Sequence, residues 1–153
     1  MNALELRIPP LALFIVFAVV IWTVGAYFPA DDVAFPGRRA IAVSFFLLGC
    51  GIVSAGVFEF RARKTTMSPL SPERTASVVS SGIYRWSRNP MYLGMALALF
   101  GIAAWRSFWF GFVAVPLFCA YLTRFQIVPE ERMLLKLFGA EYAAYLARVS
   151  RWI

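Results

Sequence analysis

Two polar clusters interrupt a largely apolar chain. The first is Gly82-Ile83-Tyr84-Arg85-Trp86-Ser87-Arg88-Asn89-Pro90-Met91-Tyr92-Leu93-Gly94. The second runs from Arg124 to Tyr145 and contains the adjacent acids Glu130 and Glu131. Their residue types suit ligand binding. Gly82 and Gly94 would let a ligand approach the backbone. Tyr84 and Tyr92 could stack on a flat ring or a cation. The paired acids could hold an ammonium or a sulfonium, and the arginines a carboxylate or phosphate.

A ligand with a ring, a carboxylate and a positive charge fits that set, and S-adenosylmethionine has all three. Each residue also has an ordinary structural role. Arg85 and Arg88 could be topology charges at a membrane edge. Pro90 suits the first position of a helix and Asn89 its cap. Glu130 and Glu131 follow Pro129, in a first turn where acids favour the helix dipole. Tyr142 and Tyr145 could anchor at an interface. What these separate roles do not explain is why so many capable residues share one face.

The composition determines what must position them. Hydrophobic residues make up 61% of the 153 and charged residues 15%, against roughly 45–50% and about 25% in soluble domains. That predicts an all-α polytopic membrane protein, a single domain over residues 1–153. The net charge of +7 does not indicate nucleic acid, because no groove-reading motif accompanies it. The chain has no histidine, so the commonest general base and metal ligand is absent, and no metal site is expected. Cys50 and Cys119 fall in apolar segments and read as small buried hydrophobes. The N-terminal apolar run is too long for a typical cleavable signal peptide.

About twenty apolar residues cross a hydrocarbon core of about 30 Å. Four spans are predicted on that basis, at 9–29, 40–60, 90–105 and 107–127. The second has a small-residue surface of Gly49, Gly51, Ser54, Ala55 and Gly56, suited to a close helix neighbour. Glu59 lies near its far end, where an interfacial charge is ordinary. Residues 61–81 read as a loop. A tight turn at Arg106 separates the last two spans. Residues 129–150 are amphipathic, with Gly139 ending one helix and a second starting near Glu141. Four spans put both termini on one side. Twelve Lys and Arg lie on that side, against Arg38, Arg39 and Arg106 on the other. The bias places the termini and both clusters in the cytoplasm, in a protein of the bacterial inner membrane type.

The joint pattern Gly82-x-Tyr84-Arg85-x-x-Arg88-Asn89-Pro90-x-Tyr92-x-Gly94, then Glu130-Glu131-x-x-Leu134-x-x-x-Phe138-Gly139-x-Glu141-Tyr142-x-x-Tyr145, resembles the isoprenylcysteine carboxyl methyltransferase family. More broadly it resembles the integral membrane methyltransferases that include phospholipid methyltransferases. The likeness covers roughly residues 80–151. It implies S-adenosylmethionine-dependent methyl transfer to a small lipophilic acceptor. The cofactor would be enclosed by the last two spans and the C-terminal helices. By resemblance, Arg88, Asn89, Pro90, Tyr92, Gly94, Glu130 and Glu131 bind the cofactor, and Tyr84 joins them as a cofactor-binding candidate through its capacity to stack. Arg88, Arg124 and Glu130 are the catalytic candidates, with Arg124 at a position near the substrate carboxylate. The chain departs from the family at Asn89, where histidine is usual.

A carboxylate or thiolate acceptor needs no base, whereas an amine must lose a proton, to Glu130 or Glu131. Two other readings stand beside this one. One is an NADPH-dependent membrane reductase of related architecture. The other is a non-catalytic scaffold or transport subunit. The expected partners are the bilayer and a lipophilic substrate; the oligomeric state is left open.

Overall fold

A computed structural model describes residues 5–28, 36–62, 78–107 and 109–153. Every regular element among them is helical. The elements are α1 (Pro10–Tyr27), α2 (Arg38–Ala62), a short 3-10 turn at Gly82–Arg85, α3 (Pro90–Arg106), α4 (Trp109–Leu122), a π turn at Thr123–Ile127, and α5 (Val128–Arg148). Most of the predicted 61–81 loop lies outside the described residues. Three helical stretches are long and apolar enough to cross a membrane: Pro10–Tyr27, Arg38–Ala62 and the continuous run that begins at Trp109. The apolar α3 is shorter, at 17 residues. The protein is a polytopic all-α integral membrane protein.

Local chemistry explains the breaks. Pro10 starts α1, with Pro9 at its cap position, where a missing N–H costs nothing. Ser107 ends α3 in the left-handed conformation (φ 51°), and its N–H donates back to Ala104 O at 3.2 Å. Helix α4 begins at Trp109. No loop separates α4 from α5. The π turn carries the helix on without interruption, so the fourth apolar segment and the amphipathic segment form one bent rod. Its charges are concentrated in α5, which holds Glu130, Glu131, Arg132, Lys136, Glu141 and Arg148, as expected of a stretch outside the spanning part. Gly139 leaves helical geometry (φ 51°, ψ −121°) and kinks α5.

The main packing face lies between α2 and α3. Gly49 rests on the backbone of Gly94 and Ala98, and a Cβ there would overlap Gly94 O. A Cβ on Gly94 would lie 2.6 Å from Gly49 O, and one on Gly101 2.6 Å from Ala42 O. The two backbones touch along three turns because no side chain separates them. Only part of the small-residue surface serves this contact: Gly51, Ser54 and Ala55 are exposed on the other side of α2. Cys50 is exposed there too, and Cys119 is half-buried; both are free thiols. The sequence expectation of burial fails for Cys50 because an apolar segment of a membrane helix can face lipid as readily as a core.

A second core joins α1, α3 and α4 through Leu13, Ile21, Leu99, Ala103, Phe118 and Leu122. Phe17 meets Phe118 edge-on, with ring centroids 5.5 Å apart. Between α1 and α4 an apolar groove of about 450 Å³ is lined by Val20, Ile21, Val24, Phe28, Phe110 and Ala114. It contains no group able to do chemistry.

Gly94→Ala is expected to destabilise the protein by about 1–3 kcal/mol, because the added methyl has only backbone and Val53 to meet. Gly51→Ala adds its methyl where nothing lies within 4 Å and should leave stability within about 0.5 kcal/mol. Thermal unfolding in detergent compares the two.

Candidate functional site

The site forms where α3 and α5 begin, at one end of the bundle. Proline starts both helices: Pro90 is in the first turn of α3 and Pro129 in that of α5. Asn89 occupies the cap position of α3, yet its side chain makes no cap bond. Its Nδ2 instead donates to Arg151 O at 3.0 Å. The neighbouring Arg88 N–H donates to Ser150 O at 3.0 Å. The segment after α5 thus lies against the start of α3. Trp152 ties it further, its Nε1 donating to Thr123 Oγ1 at 3.2 Å.

The adjacent acids have separate surroundings. Successive residues on a helix point about 100° apart. Glu131 faces arginines. Arg151 grips it with Nε at 3.0 Å and Nη2 at 2.7 Å, a bidentate geometry that is both directional and strong. Arg88 Nη2 adds a contact at 3.3 Å. Glu130 faces neutral donors. Tyr92 Oη donates to it at 2.9 Å and Gln126 Nε2 at 2.5 Å. Burial raises the Glu130 carboxyl to about 7; the bonds from Gln126 and Tyr92 work against that rise, and the charge of Glu131 adds to it. Burial disfavours the charged form, and two neutral donors do not compensate fully.

The tyrosines close the site on the third side. Tyr145 Oη donates to Tyr84 O at 2.8 Å. Tyr142 and Tyr145 pack with Val78 and Leu134 into a small core of their own. Tyr84 is buried, with its ring edge-on to Phe60 at 5.3 Å. Among the described residues its hydroxyl has no hydrogen-bond partner, nor does Arg88 Nε. Buried polar atoms in that state are uncommon and call for an explanation. Glu59 is part of the same end of the molecule: Ser81 Oγ donates to its Oε1, and Gly82 (φ 55°) presses so closely on its carboxylate that a side chain there would overlap it.

The structure therefore brings Tyr84, Arg88, Asn89, Pro90, Tyr92, Glu130 and Glu131 to one place. Gly94 stands apart from the ligand face, since its missing side chain serves the α2 contact. Arg124 is not joined to this network. It pairs with Glu5 at 3.1 Å. Two members were not singled out from sequence. Gln126 is a buried amide four residues before Glu130, and a lone polar residue within Phe125–Val128 was the available signal. Arg151 had only its charge to mark it.

Residues 38–141 match the sequence model of the phospholipid methyltransferase family. The chain belongs to that family. Membership implies methyl transfer within a membrane. The matched range contains the first motif cluster and the second as far as Glu141, and stops before Tyr142, Tyr145 and Arg151. An uncharacterized protein of Haemophilus influenzae is 35% identical over 63 residues, which are 41% of this chain and the whole of that protein. No solved structure matches.

For this methyltransferase relative, the contacts around Glu131 predict a ranking of variants. Glu131→Gln deprives both Arg88 and Arg151 of their charge partner and should cost about 2 kcal/mol. Arg151→Gln leaves the Arg88 contact and, being partly exposed, should cost less, about 0.5–1 kcal/mol. Denaturation midpoints in detergent test the order.

Proposed function

We propose that the chain is a single-domain S-adenosylmethionine-dependent methyltransferase acting on a lipophilic acceptor at the cytoplasmic face of the membrane. The observation that carries this reading is the division between the adjacent acids. One is neutralised by two arginines, and the other is buried among neutral donors with a pKa near neutrality. S-adenosylmethionine, when bound, supplies a methyl group activated by its positively charged sulfur.

The roles of the chain's own residues follow from their chemistry. Arg88 would hold a carboxylate, with its orientation set by Glu131. Glu130 would face positive charge and, for an amine acceptor, take the proton released on methylation. Tyr92 and Gln126 fix the direction of that carboxylate. Alignment of donor and acceptor does the rest and can contribute about 7–11 kcal/mol. An acceptor would arrive from the bilayer between helices. The positive-charge bias supports cytoplasmic termini. Asn89, where histidine is usual in the resembling family, would act by holding the segment around Arg151 rather than by touching ligand.

Calorimetric titration of the detergent-purified protein tests this reading. Micromolar binding of S-adenosylmethionine and S-adenosylhomocysteine is expected, weakened at least about tenfold in Arg88→Ala. Binding of NADPH alone would overturn it. The Glu130 carboxyl also sets a pH dependence. Below about 7 it is protonated, so affinity for the sulfonium should rise with pH through that value and become flat in Glu130→Gln. Stability should run the other way. The folded-state value is raised above the ordinary 4.5, so the stability this group contributes is full below 4.5 and is lost as pH rises through about 7. Thermal midpoints across that range, in wild type and Glu130→Gln, check the sign.

A further inference from the structure

The segment before α1 carries an ion-pair cluster separate from the network around Glu130 and Glu131. Glu5 is buried, with its side chain 3% exposed, and each of its oxygens meets a different guanidinium. Arg124 Nη1 lies 3.1 Å from Oε1, and Arg132 Nη2 lies 2.8 Å from Oε2. Arg124 belongs to the π turn after α4, and Arg132 to the first turns of α5. Burial works against the charge on Glu5, yet the two arginines outweigh it and hold the carboxyl below its ordinary range.

Three features distinguish this cluster from an ordinary salt bridge. The first is its charge: two cations meet one anion, leaving an excess of one. The second is donor capacity. Each guanidinium has five N–H groups, and each is seen to give one to Glu5. Both arginine side chains are 53% exposed, so their outer edges face the surroundings while the carboxylate lies beneath. The third is depth. The cluster sits where α1 starts and the α4 span ends, at the boundary of the apolar zone, where lipid headgroup phosphates lie. The backbone there is strained as well. Leu6 holds a left-handed φ of 60°, unfavourable for a leucine, and its N–H donates to Phe125 O at 3.0 Å.

We propose that Arg124 and Arg132 form a binding site for the phosphate of a lipid headgroup, with Glu5 as an internal carboxylate that holds the site in shape and competes for it. Two converging arginines suit a phosphate, which accepts several charge-assisted bonds at once. The excess positive charge makes a second anion welcome while Glu5 stays in place. Displacement of Glu5 would release the strained Leu6 turn. The site requires only the bilayer, and its test reads binding without any methyl donor, so its failure and that of the methyl-transfer reading are separately visible.

The test uses the full chain in detergent and follows the thermal midpoint with three probes: dihexanoyl phosphatidic acid, dihexanoylglycerol and inorganic phosphate. Phosphatidic acid should raise the midpoint well above either other probe at equal concentration. Glu5→Gln, which removes the competing charge, should reach half-saturation at about tenfold lower phosphatidic acid. Arg132→Gln should lose the response. If that variant does not fold, Arg132→Lys keeps the charge but not the planar fork and should weaken the response about tenfold. Equal shifts with dihexanoylglycerol would reduce the effect to apolar binding and overturn the site. Equal shifts with inorganic phosphate would overturn the lipid assignment. An unchanged response in Arg132→Gln or in Arg132→Lys, or a weaker one in Glu5→Gln, would overturn the roles given to those residues.

Discussion

Backbone contact between α2 and α3 is the constraint on which the rest of the molecule depends. Helices in lipid gain little from burying apolar surface against one another, so close packing must hold them. Gly49, Gly94 and Gly101 allow it by letting carbonyls and peptide nitrogens meet where side chains would otherwise stand. With α3 held this way, its first turn lies beside Glu59 and the Gly82 turn. Everything polar at that end is then referenced to a rigid pair of helices. A wider pair would leave Tyr84 without its neighbours and would move Arg88 relative to α5.

On that foundation the molecule arranges charge economically. Four carboxylates lie near one end of the bundle, and each has a different setting. Glu59 meets a serine and a glycine backbone, Glu131 two arginines, Glu5 two others, and Glu130 only neutral donors. The arginine-bound acids organise structure, since a paired charge is already spent on its partners. The one left among hydroxyl and amide groups keeps its capacity to take a proton or a cation. Adjacent residues can diverge this far because a helix turns them toward different neighbours, and the π turn just ahead, of a kind often found at functional sites, brings Gln126 under Glu130.

Much of the fold was legible in the sequence because its signals are local. Apolar runs long enough for a bilayer, a proline at the start of α3 and α5, and Arg106 at a turn all act over a few residues. The two motif clusters were legible as well, as types and spacings. What stayed hidden depends on partners far apart in the chain. Nothing in spacing says that Arg124 will meet Glu5, 119 residues away, or that Asn89 will bond a carbonyl 62 residues on rather than cap its own helix. Arg151 was read as a topology charge because a single arginine near the end of α5 carries no pattern. Gly94 looked like room for a ligand, and only the neighbouring helix shows what the room is for.

The missing histidine has a practical consequence. Proteins normally carry several imidazoles that exchange protons near neutrality and obscure one another. Here that role falls to Glu130, whose buried carboxyl is raised to about 7. A protonated carboxylic acid in an apolar setting has a carbonyl stretch well separated from the amide absorption of the backbone. Infrared difference spectra would therefore see this group directly, so the protein carries its own optical label where α3 and α5 begin.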